Sequence, residues 1–411
     1  MDENGKTFFY AADTAWKLFF SLTKDETKFY LEDRKAKGFT AIQVMLTGFV
    51  GDTTLNGIAP FRDPNNFSTI NRAYMQKVEE VIALAQSMNL IVSIAPLWAG
   101  CCGEGFAGSN DFIINNGTEK SWDFGEYLGS RFNKYKNIIW IIGGDNDPGK
   151  SRKAYDSLAR GIKSKAPKHL ITYHAASTHS STDVFGTPPW LDISMTYTYF
   201  RGFDKAWNIK QTDVYEEGYT EYQKQPTKPY FLGESTYEKE HENWGSALQT
   251  RKQAYWSVFS GGFGHAYGSI NWKFPEDWKK NLELEGAKSV QYLKKLFYLL
   301  PFENSIPDLS SKLVVYGKGK YASNDYTTSV IDKDKGFAVS YIPSGRSLTI
   351  DVSLLKGRKC KAYWYNPING QILLIGTYNT KKKLLFNTPS TNDWVLILCT
   401  DFNIINKNNF I

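Results

Sequence analysis

Short apolar runs alternate with amphipathic segments along the first two-thirds of the chain. Each run is too short for a helix, is bounded by turn residues and is apolar on both faces, which is typical of a strand buried in a parallel sheet. The predicted strands are residues 8–12, 41–46, 90–96, 138–142, 170–174, 193–196, 230–233 and 264–267. The predicted helices between them include residues 24–37, 71–88, 123–135, 151–166, 249–259 and 287–300. Eight strand–helix units with right-handed crossovers predict an α/β fold, a (β/α)8 TIM barrel.

The first long helix carries a start signal. Thr23 is followed three residues later by Glu26, the spacing of a capping box. We therefore expect the helix to begin directly after Thr23.

The pattern of apolar and polar residues changes after Pro301. Short alternating runs separated by Gly, Pro, Asn and Ser turns occur at residues 313–316, 321–326, 337–341, 347–352, 360–365, 372–378, 383–386 and 394–399. No long helical pattern interrupts them, so we predict a compact antiparallel β-sandwich. The predicted domains are a catalytic barrel over 1–303, a C-terminal β-sandwich over 304–402 and a tail over 403–411.

Every predicted barrel strand has a polar or aromatic side chain at or near its carboxyl end. These candidates are Asp13, Gln43, Trp98, Asp145, His174, Tyr197, Glu234, His265 and Tyr267, together with Trp16 after the first strand. The carboxyl ends of barrel strands form the active-site face, so the side chains are expected to converge on one pocket.

Asp145 and Glu234 stand out because each carboxylate follows glycine at the end of an apolar strand. A glycoside hydrolase needs one ionised carboxylate facing a positively charged transition state and a second one, protonated, that donates to the leaving oxygen. We predict that these two acids are the catalytic pair and that the other candidates bind substrate. The spacing alone leaves open which acid has which role, and whether the reaction retains or inverts configuration.

Several candidates also have a purely structural interpretation. Asp13 could cap the turn before Trp16, and a histidine at a strand end, such as His174 or His265, is commonly satisfied by backbone hydrogen bonds. Tyr197 suits a sugar platform or ordinary packing equally well. The acids at 238, 240 and 242 are interpreted as a solvated loop, with the alternative that one of them assists binding.

The composition of the chain argues against some classes of ligand and favours others. The 411 residues have a formal net charge of +7 and 15% aromatic content. The cations are scattered, apart from 381–383, and no nucleic-acid reader motif occurs, so we expect no nucleic-acid partner. Aromatic side chains suit the apolar faces of sugars. We find no metal motif, no cofactor motif and no membrane span, and Cys360 and Cys399 could either pair or remain free thiols.

Several motifs together resemble the apiosidase-like family of glycoside hydrolases. They are Ala-Asp-Thr-Ala-Trp at 12–16, Tyr-Leu-Glu-Asp-Arg-Lys-Ala-Lys-Gly-Phe at 30–39, Ile-Ile-Trp-Ile-Ile-Gly-Gly-Asp at 138–145, Thr-Tyr-His at 172–174, Gly-Glu-Ser-Thr-Tyr-Glu at 233–238 and Ala-Tyr-Trp-Ser-Val-Phe-Ser-Gly-Gly-Phe-Gly-His-Ala-Tyr-Gly at 254–268. The resemblance covers about residues 7 to 300, and the sandwich resembles the C-terminal domain, labelled collagen-binding, that accompanies this family.

The resemblance implies a retaining, exo-acting enzyme that removes apiose from galacturonic acid in the side chains of pectin. Asp145 would be the acid/base and Glu234 the nucleophile, as in the large barrel clan of retaining glycosidases. It also implies a cofactor-free bacterial protein, periplasmic, at the cell surface or secreted, with an export leader outside this sequence. We expect an oligosaccharide or polysaccharide substrate, including acidic pectin, and a monomer.

The chain departs from the family pattern in three places. Ala12 stands where the family suggests glycine, and the segments 46–60 and 99–118 do not match the pattern. Two alternatives therefore stay open. One is the same mechanism on an arabinofuranosyl or galactosyl wall sugar, and the other is a non-catalytic protein that binds glycan or matrix.

Overall fold

The computed structural model describes residues 5–101, 105, 108–203, 210–240 and 244–401. The strands of the first sheet are β1 (Tyr10–Thr14), β2 (Ala41–Met45), β3 (Ile91–Ala95), β4 (Ile138–Gly143), β5 (Leu170–His174), β6 (His179–Ser180), β7 (Ser194–Tyr197), β8 (Tyr230–Glu234) and β9 (Gly264–Tyr267). Their order is β5-β4-β3-β2-β1-β9-β8-β7-β6. The short β6 is antiparallel to β7, so the eight parallel barrel strands are β1–β5 and β7–β9. The predicted (β/α)8 barrel is confirmed.

The sheet closes where β5 approaches β7. The backbone N–H of Asp192, just before β7, donates to the carbonyl oxygen of Ile171 in β5 at 3.0 Å. This contact joins the two ends of the sheet, so the carboxyl ends of all eight parallel strands surround one opening.

Helices surround the barrel. They are α1 (Leu18–Ser21), α2 (Lys24–Ala36), α3 (Arg72–Ser87), α4 (Ser109–Phe132), α5 (Arg152–Lys165), α6 (Ser181–Phe185), α7 (Val214–Gln223), α8 (Ala247–Phe259), α9 (Trp278–Asn281) and α10 (Glu285–Leu299). The capping box at Thr23 and Glu26 is present. The range of α4 contains two helical segments that meet at a kink at Gly117, whose φ is 70°, so helical structure begins well before the predicted residue 123.

The C-terminal strands are β10 (Ser305–Pro307), β11 (Val314–Tyr316), β12 (Thr328–Asp332), β13 (Phe337–Ile342), β14 (Ser347–Asp351), β15 (Lys359–Tyr365), β16 (Ile372–Asn379), β17 (Lys383–Asn387) and β18 (Trp394–Cys399). They form a six-stranded sheet, β10-β12-β13-β18-β15-β16, and a three-stranded sheet, β11-β14-β17. The predicted antiparallel sandwich is confirmed, but residues 321–326 are not a strand. The aromatic side chain of Tyr326 packs on Tyr215 of the barrel instead, with ring centroids 5.0 Å apart.

The six-stranded sheet lies between the barrel helices and the three-stranded sheet. Residues such as Val339 and Ile397 face α8 and α10, whereas Ala338 and Leu396 face the three-stranded sheet. The ring of Tyr341 stacks on that of Tyr255 of α8 at 4.6 Å. The sandwich therefore covers an apolar flank of the barrel.

Cys360 and Cys399 are free and buried. Cys399 is in register with Lys361 of β15, and Cys360 directly precedes Lys361, so the Cys360 side chain points to the opposite face of the sheet. Cys360 belongs to the core between the two sheets and Cys399 to the core against the barrel. Within the described ranges, the helices are too short or too polar to cross a bilayer.

Candidate active site

The turn after β4 sets the position of Asp145. Asp145 has a left-handed φ of 53°, and Gly143 before it has a φ of 79°. A Cβ on Gly143 would lie 2.5 Å from the ring of Tyr173, and one on Gly144 would lie 2.3 Å from the ring of Trp98. Only glycine permits these approaches, so the two glycines bring the backbone close to the aromatic floor before the carboxylate.

Glu234 ends β8, the seventh barrel strand, and both of its carboxylate oxygens are held. The Nε2 atom of His174 lies 2.6 Å from Oε2, and the hydroxyl of Tyr237 donates to Oε1 at 2.5 Å. The indole N–H of Trp16 donates to the Tyr237 oxygen at 2.6 Å, which fixes that hydroxyl. Glu234 is only 7% exposed. Hydrogen bonds to an ionised carboxylate are among the strong ones, so this network holds Glu234 in one orientation.

His174 connects the two acids. Its Nδ1 atom lies 3.1 Å from the backbone N–H of Asp145 and 3.0 Å from the carbonyl oxygen of Ala175. Burial disfavours the charged ring, but the hydrogen bond and charge of Glu234 raise the His174 pKa overall. In the neutral ring that accepts from Asp145, the proton is on Nε2, so Nε2 donates to Glu234 whether or not the ring is charged.

The environment of Asp145 favours its protonated form. Asp145 is half-buried and keeps part of its surface open to solvent. Burial, followed by the negative charge of Glu234, raises the pKa of Asp145 to about 7, against the opposing effects of His174 and the Tyr197 hydroxyl. A carboxylic acid with such a pKa still carries a proton near neutrality, as a general acid must.

Aromatic rings enclose the pair. The Trp16 and Trp98 ring centroids are 4.5 Å apart, and the His174 ring lies 5.1 Å from both Trp98 and Tyr197. The hydroxyl oxygens of Tyr197 and Tyr199 lie 3.2 Å apart. The structure thus brings the predicted binding residues Trp16, Trp98, His174 and Tyr197 together with the two carboxylates.

Four other predicted binding residues lie elsewhere. Asp13 is in β1, with its carboxylate turned outward to α2, where Oδ2 accepts from the Tyr30 hydroxyl at 2.6 Å and from Arg34 at 3.1 Å. Gln43 is fully buried inside the barrel, and its Nε2 donates to the Tyr10 hydroxyl at 3.2 Å. Neither side chain contacts Asp145 or Glu234.

His265 and Tyr267 share the outer face of β9. His265 lies beside the Phe9 ring at 6.1 Å, and burial lowers its pKa to about 4. The Tyr267 hydroxyl donates to Glu238 at 2.6 Å. Side chains alternate along a strand, so Ala266 between them faces the barrel interior while both of these residues face the surrounding helices.

Sequence reasoning missed Tyr237 and misjudged the acids after it. Tyr237 lies within the motif at 233–238, but nothing in the motif reveals its contact with Glu234. The prediction of a solvated acidic loop is wrong for Glu238, which is 5% exposed. It is also wrong for the half-buried Glu240, which accepts the Trp272 indole N–H at 2.6 Å. Residue 242 lies outside the described residues.

Trp98 also lines a cavity. It has a volume of about 160 Å³, and its walls include Phe49, Phe61, Arg62 and Phe112. Phe49 and Phe112 belong to the two segments that depart from the family pattern, and Phe61 and Arg62 directly follow the first of these segments. The structure therefore provides a cavity next to Trp98, one of the aromatic residues that enclose the carboxylates. Metal-ligand geometry, with three or more His, Cys, Asp or Glu side chains together, is not found in the described part of the chain.

Comparison with known proteins agrees with this geometry. Residues 1–304 match the family model "Apiosidase-like, catalytic domain", and residues 306–399 match "Putative collagen-binding domain of a collagenase". A glycoside hydrolase family 5 structure from Bacteroides vulgatus is 27% identical with a TM-score of 0.88, covering 100% of this chain and 96% of that one. A second structure, described as a glycoside hydrolase, is 27% identical with a TM-score of 0.85, covering 97% and 94%. No curated protein sequence matches the chain.

Proposed function

The chain belongs to the apiosidase-like family of glycoside hydrolases, and from this premise we propose that it is a retaining exo-enzyme that releases apiose from galacturonic acid in pectin side chains. Its substrate is a glycan, as for the glycoside hydrolases whose fold it shares. We further propose that it acts as a monomer in the periplasm, at the bacterial cell surface or after secretion.

One observation carries the assignment of roles: the two carboxylates have unequal environments. The pKa of Asp145 is raised to about 7, whereas Glu234 receives a hydrogen bond on each oxygen. Glycoside hydrolysis requires one protonated acid that donates to the leaving oxygen and one carboxylate held in a fixed position near the anomeric carbon. Asp145 is accordingly the acid/base and Glu234 the nucleophile.

The proposed reaction has two displacements. A Glu234 oxygen bonds to the anomeric carbon while the glycosidic bond breaks and Asp145 transfers its proton to the departing oxygen. Asp145 then removes a proton from water, the water oxygen bonds to the anomeric carbon, and the bond to Glu234 breaks. Forming the glycosyl ester removes the negative charge of Glu234, which is the second cause of the raised pKa of Asp145. The pKa of Asp145 therefore falls when Asp145 must act as a base.

The cavity beside Trp98 supports one alternative substrate, a different sugar of the plant cell wall. Its lining residues lie within 47–64, 97–98 and 109–113 and overlap the segments that depart from the family pattern, and such loops set sugar specificity. An arabinofuranosyl or galactosyl wall glycoside would use the same two carboxylates and differ only in contacts at these walls.

The test is sugar release from apiose-bearing pectic oligosaccharides, followed by analysis of the free monosaccharides. The unmodified chain should release apiose, and Glu234→Gln and Asp145→Asn should each lower the rate by at least about a hundredfold. Asp147→Asn is the matched control, because this half-exposed acid two residues from Asp145 bonds His179 and the backbone of Ala176 rather than the pair. Release of arabinose or galactose instead would select the alternative sugar, and equal release by the Glu234 variant would exclude the proposed pair.

A further inference from the structure

Three turns meet at one end of the sandwich. They are residues 333–336 between β12 and β13, residues 355–358 before β15, and residues 380–382 between β16 and β17. The Lys356 N–H donates to the Lys335 carbonyl at 2.9 Å, and the Thr380 N–H donates to the Arg358 carbonyl at 3.2 Å. Backbone hydrogen bonds thus join three segments that are distant in sequence into one surface.

This surface, the basic end, carries seven cations. They are Lys333, Lys335, Lys356, Arg358, Lys359, Lys381 and Lys382. All seven residues are exposed. None forms an ion pair with a carboxylate of the described residues, in contrast to the many paired cations of the barrel.

The acids nearby do not neutralise this charge. Asp332 is buried and accepts the Gly336 N–H at 2.8 Å, while Asp334 lies exposed within the first turn. Asp351 is in register with Lys383, a cation outside the set of seven, and Asp401 follows the end of β18. Even with Asp334 and Asp401 counted against the seven cations, the basic end keeps a clear excess of positive charge.

The basic end points away from the catalytic pocket. Lys333 donates its N–H to the carbonyl of Asn304, just beyond the end of α10. The opposite end of the sandwich carries Asp393, which pairs with Arg251 near the start of α8. Barrel helices begin at the active-site face and end at the opposite face, so the basic end lies at the side remote from Asp145 and Glu234.

We propose that the basic end is a binding surface for a carboxylated polysaccharide chain, such as a polyuronate, and that it holds the enzyme on such a polymer without feeding the catalytic pocket. A polyuronate offers one carboxylate per sugar, which matches cations spread over three adjacent turns. The three turns contain no aromatic residue on which bases could stack and no exposed large apolar residue that could enter a membrane. The chemistry therefore favours the acidic glycan over nucleic acid or lipid.

The experiment measures binding of the full chain to soluble polygalacturonate at low ionic strength, with a neutral dextran as the comparison polymer. The test variant is Lys335→Gln, Lys356→Gln and Lys382→Gln together, one cation from each turn. The matched control is Lys35→Gln, Lys153→Gln and Lys168→Gln together, which removes the same charge from exposed, unpaired positions of the barrel. We expect the unmodified chain and the control to bind polygalacturonate but not dextran, with affinity falling steeply as salt is added.

The test variant should bind at least about tenfold more weakly, since each cation near an anionic surface contributes several-fold in affinity. Equal binding by the two variants, or no binding by the unmodified chain, would overturn the proposal. Stronger binding to duplex DNA or to anionic phospholipid vesicles than to polygalacturonate would overturn the choice of partner. The proposed function fails separately, because turnover of a short uncharged glycoside depends on Glu234 and should be equal in both triple variants.

Discussion

At the scale of single residues, the site depends on how side chains around Glu234 restrain it. Tyr237 illustrates this, because it touches Glu234 and is itself held by Trp16. Neither residue carries the reacting charge, yet both determine where that charge lies. His174 also restrains Glu234. One of its ring nitrogens contacts the Glu234 carboxylate and the other contacts the backbone N–H of Asp145.

Tyr237→Phe tests this restraint. It removes one donor from the Glu234 carboxylate, and a lost hydrogen bond to a charged group corresponds to roughly a ten- to hundredfold lower kcat. Circular dichroism and thermal unfolding should show a folded protein, because the ring itself is retained. A kcat equal to that of the unmodified chain would mean that Tyr237 has no part in positioning Glu234.

The pH dependence of kcat/KM tests the state of Asp145. Its pKa is raised to about 7, so the protonated acid is present below that pH and is lost as the pH rises through it. Activity should therefore decline above about pH 7. The Tyr197 hydroxyl lowers this pKa, so Tyr197→Phe should move the decline to higher pH. An activity that stays constant to about pH 9 would contradict the role of Asp145 as the acid.

At the scale of elements, the ends of the strands fix the positions of the two carboxylates. The turn after β4 approaches Trp98 so closely that only glycine fits at position 144. This packing explains why a run of apolar residues ends in two glycines before the acid.

Gly144→Ala tests the close approach. Its Cβ would meet the Trp98 ring at 2.3 Å, and overpacking of this kind costs about 1–3 kcal/mol in the free energy of unfolding. Chemical denaturation measures the change. Adding Trp98→Leu to the same chain should restore part of the stability, since it removes the obstructing ring; no recovery would show that the strain lies in the backbone instead.

The apolar pattern predicts which strands and helices form better than it predicts where their side chains point. Buried strands appear as short apolar runs, so all eight parallel strands were predicted in order. When both faces of a strand are buried, alternation does not reveal which face points into the barrel. The sequence pattern therefore could not predict that Asp13, His265 and Tyr267 point outward. The contact between Tyr237 and Glu234 depends on the path of the backbone just after β8, which the apolar pattern does not reveal. The basic end arises from turns that are distant in sequence and that only folding brings together. Neither feature was therefore predicted.

At the scale of the whole molecule, the barrel and the sandwich share a buried ion pair. The Arg251 guanidinium donates to the Asp393 carboxylate at 2.9 and 3.1 Å, and the Tyr341 hydroxyl donates to the same carboxylate at 3.1 Å. Asp393 is 1% exposed. The cation that pairs with this buried carboxylate therefore comes from the other domain.

Arg251→Ala should destabilise the protein strongly. It leaves the Asp393 charge buried without its cation, which typically costs about 3–5 kcal/mol in the free energy of unfolding. Arg160→Ala, in an exposed pair with Asp156, is the control and should cost no more than about 1 kcal/mol. If urea unfolding showed equal losses for the two variants, the domain contact would not depend on this pair.

The proposed mechanism depends on a glycosyl ester at Glu234, and trapping that ester tests the mechanism most directly. An aryl apioside with a good leaving group needs little acid assistance, so Asp145→Ala should still form the intermediate but break it down slowly. Mass spectrometry of the quenched variant should find one pentosyl group on the peptide that contains Glu234. Turnover without any adduct, and with inverted configuration in the released sugar, would contradict the proposed mechanism.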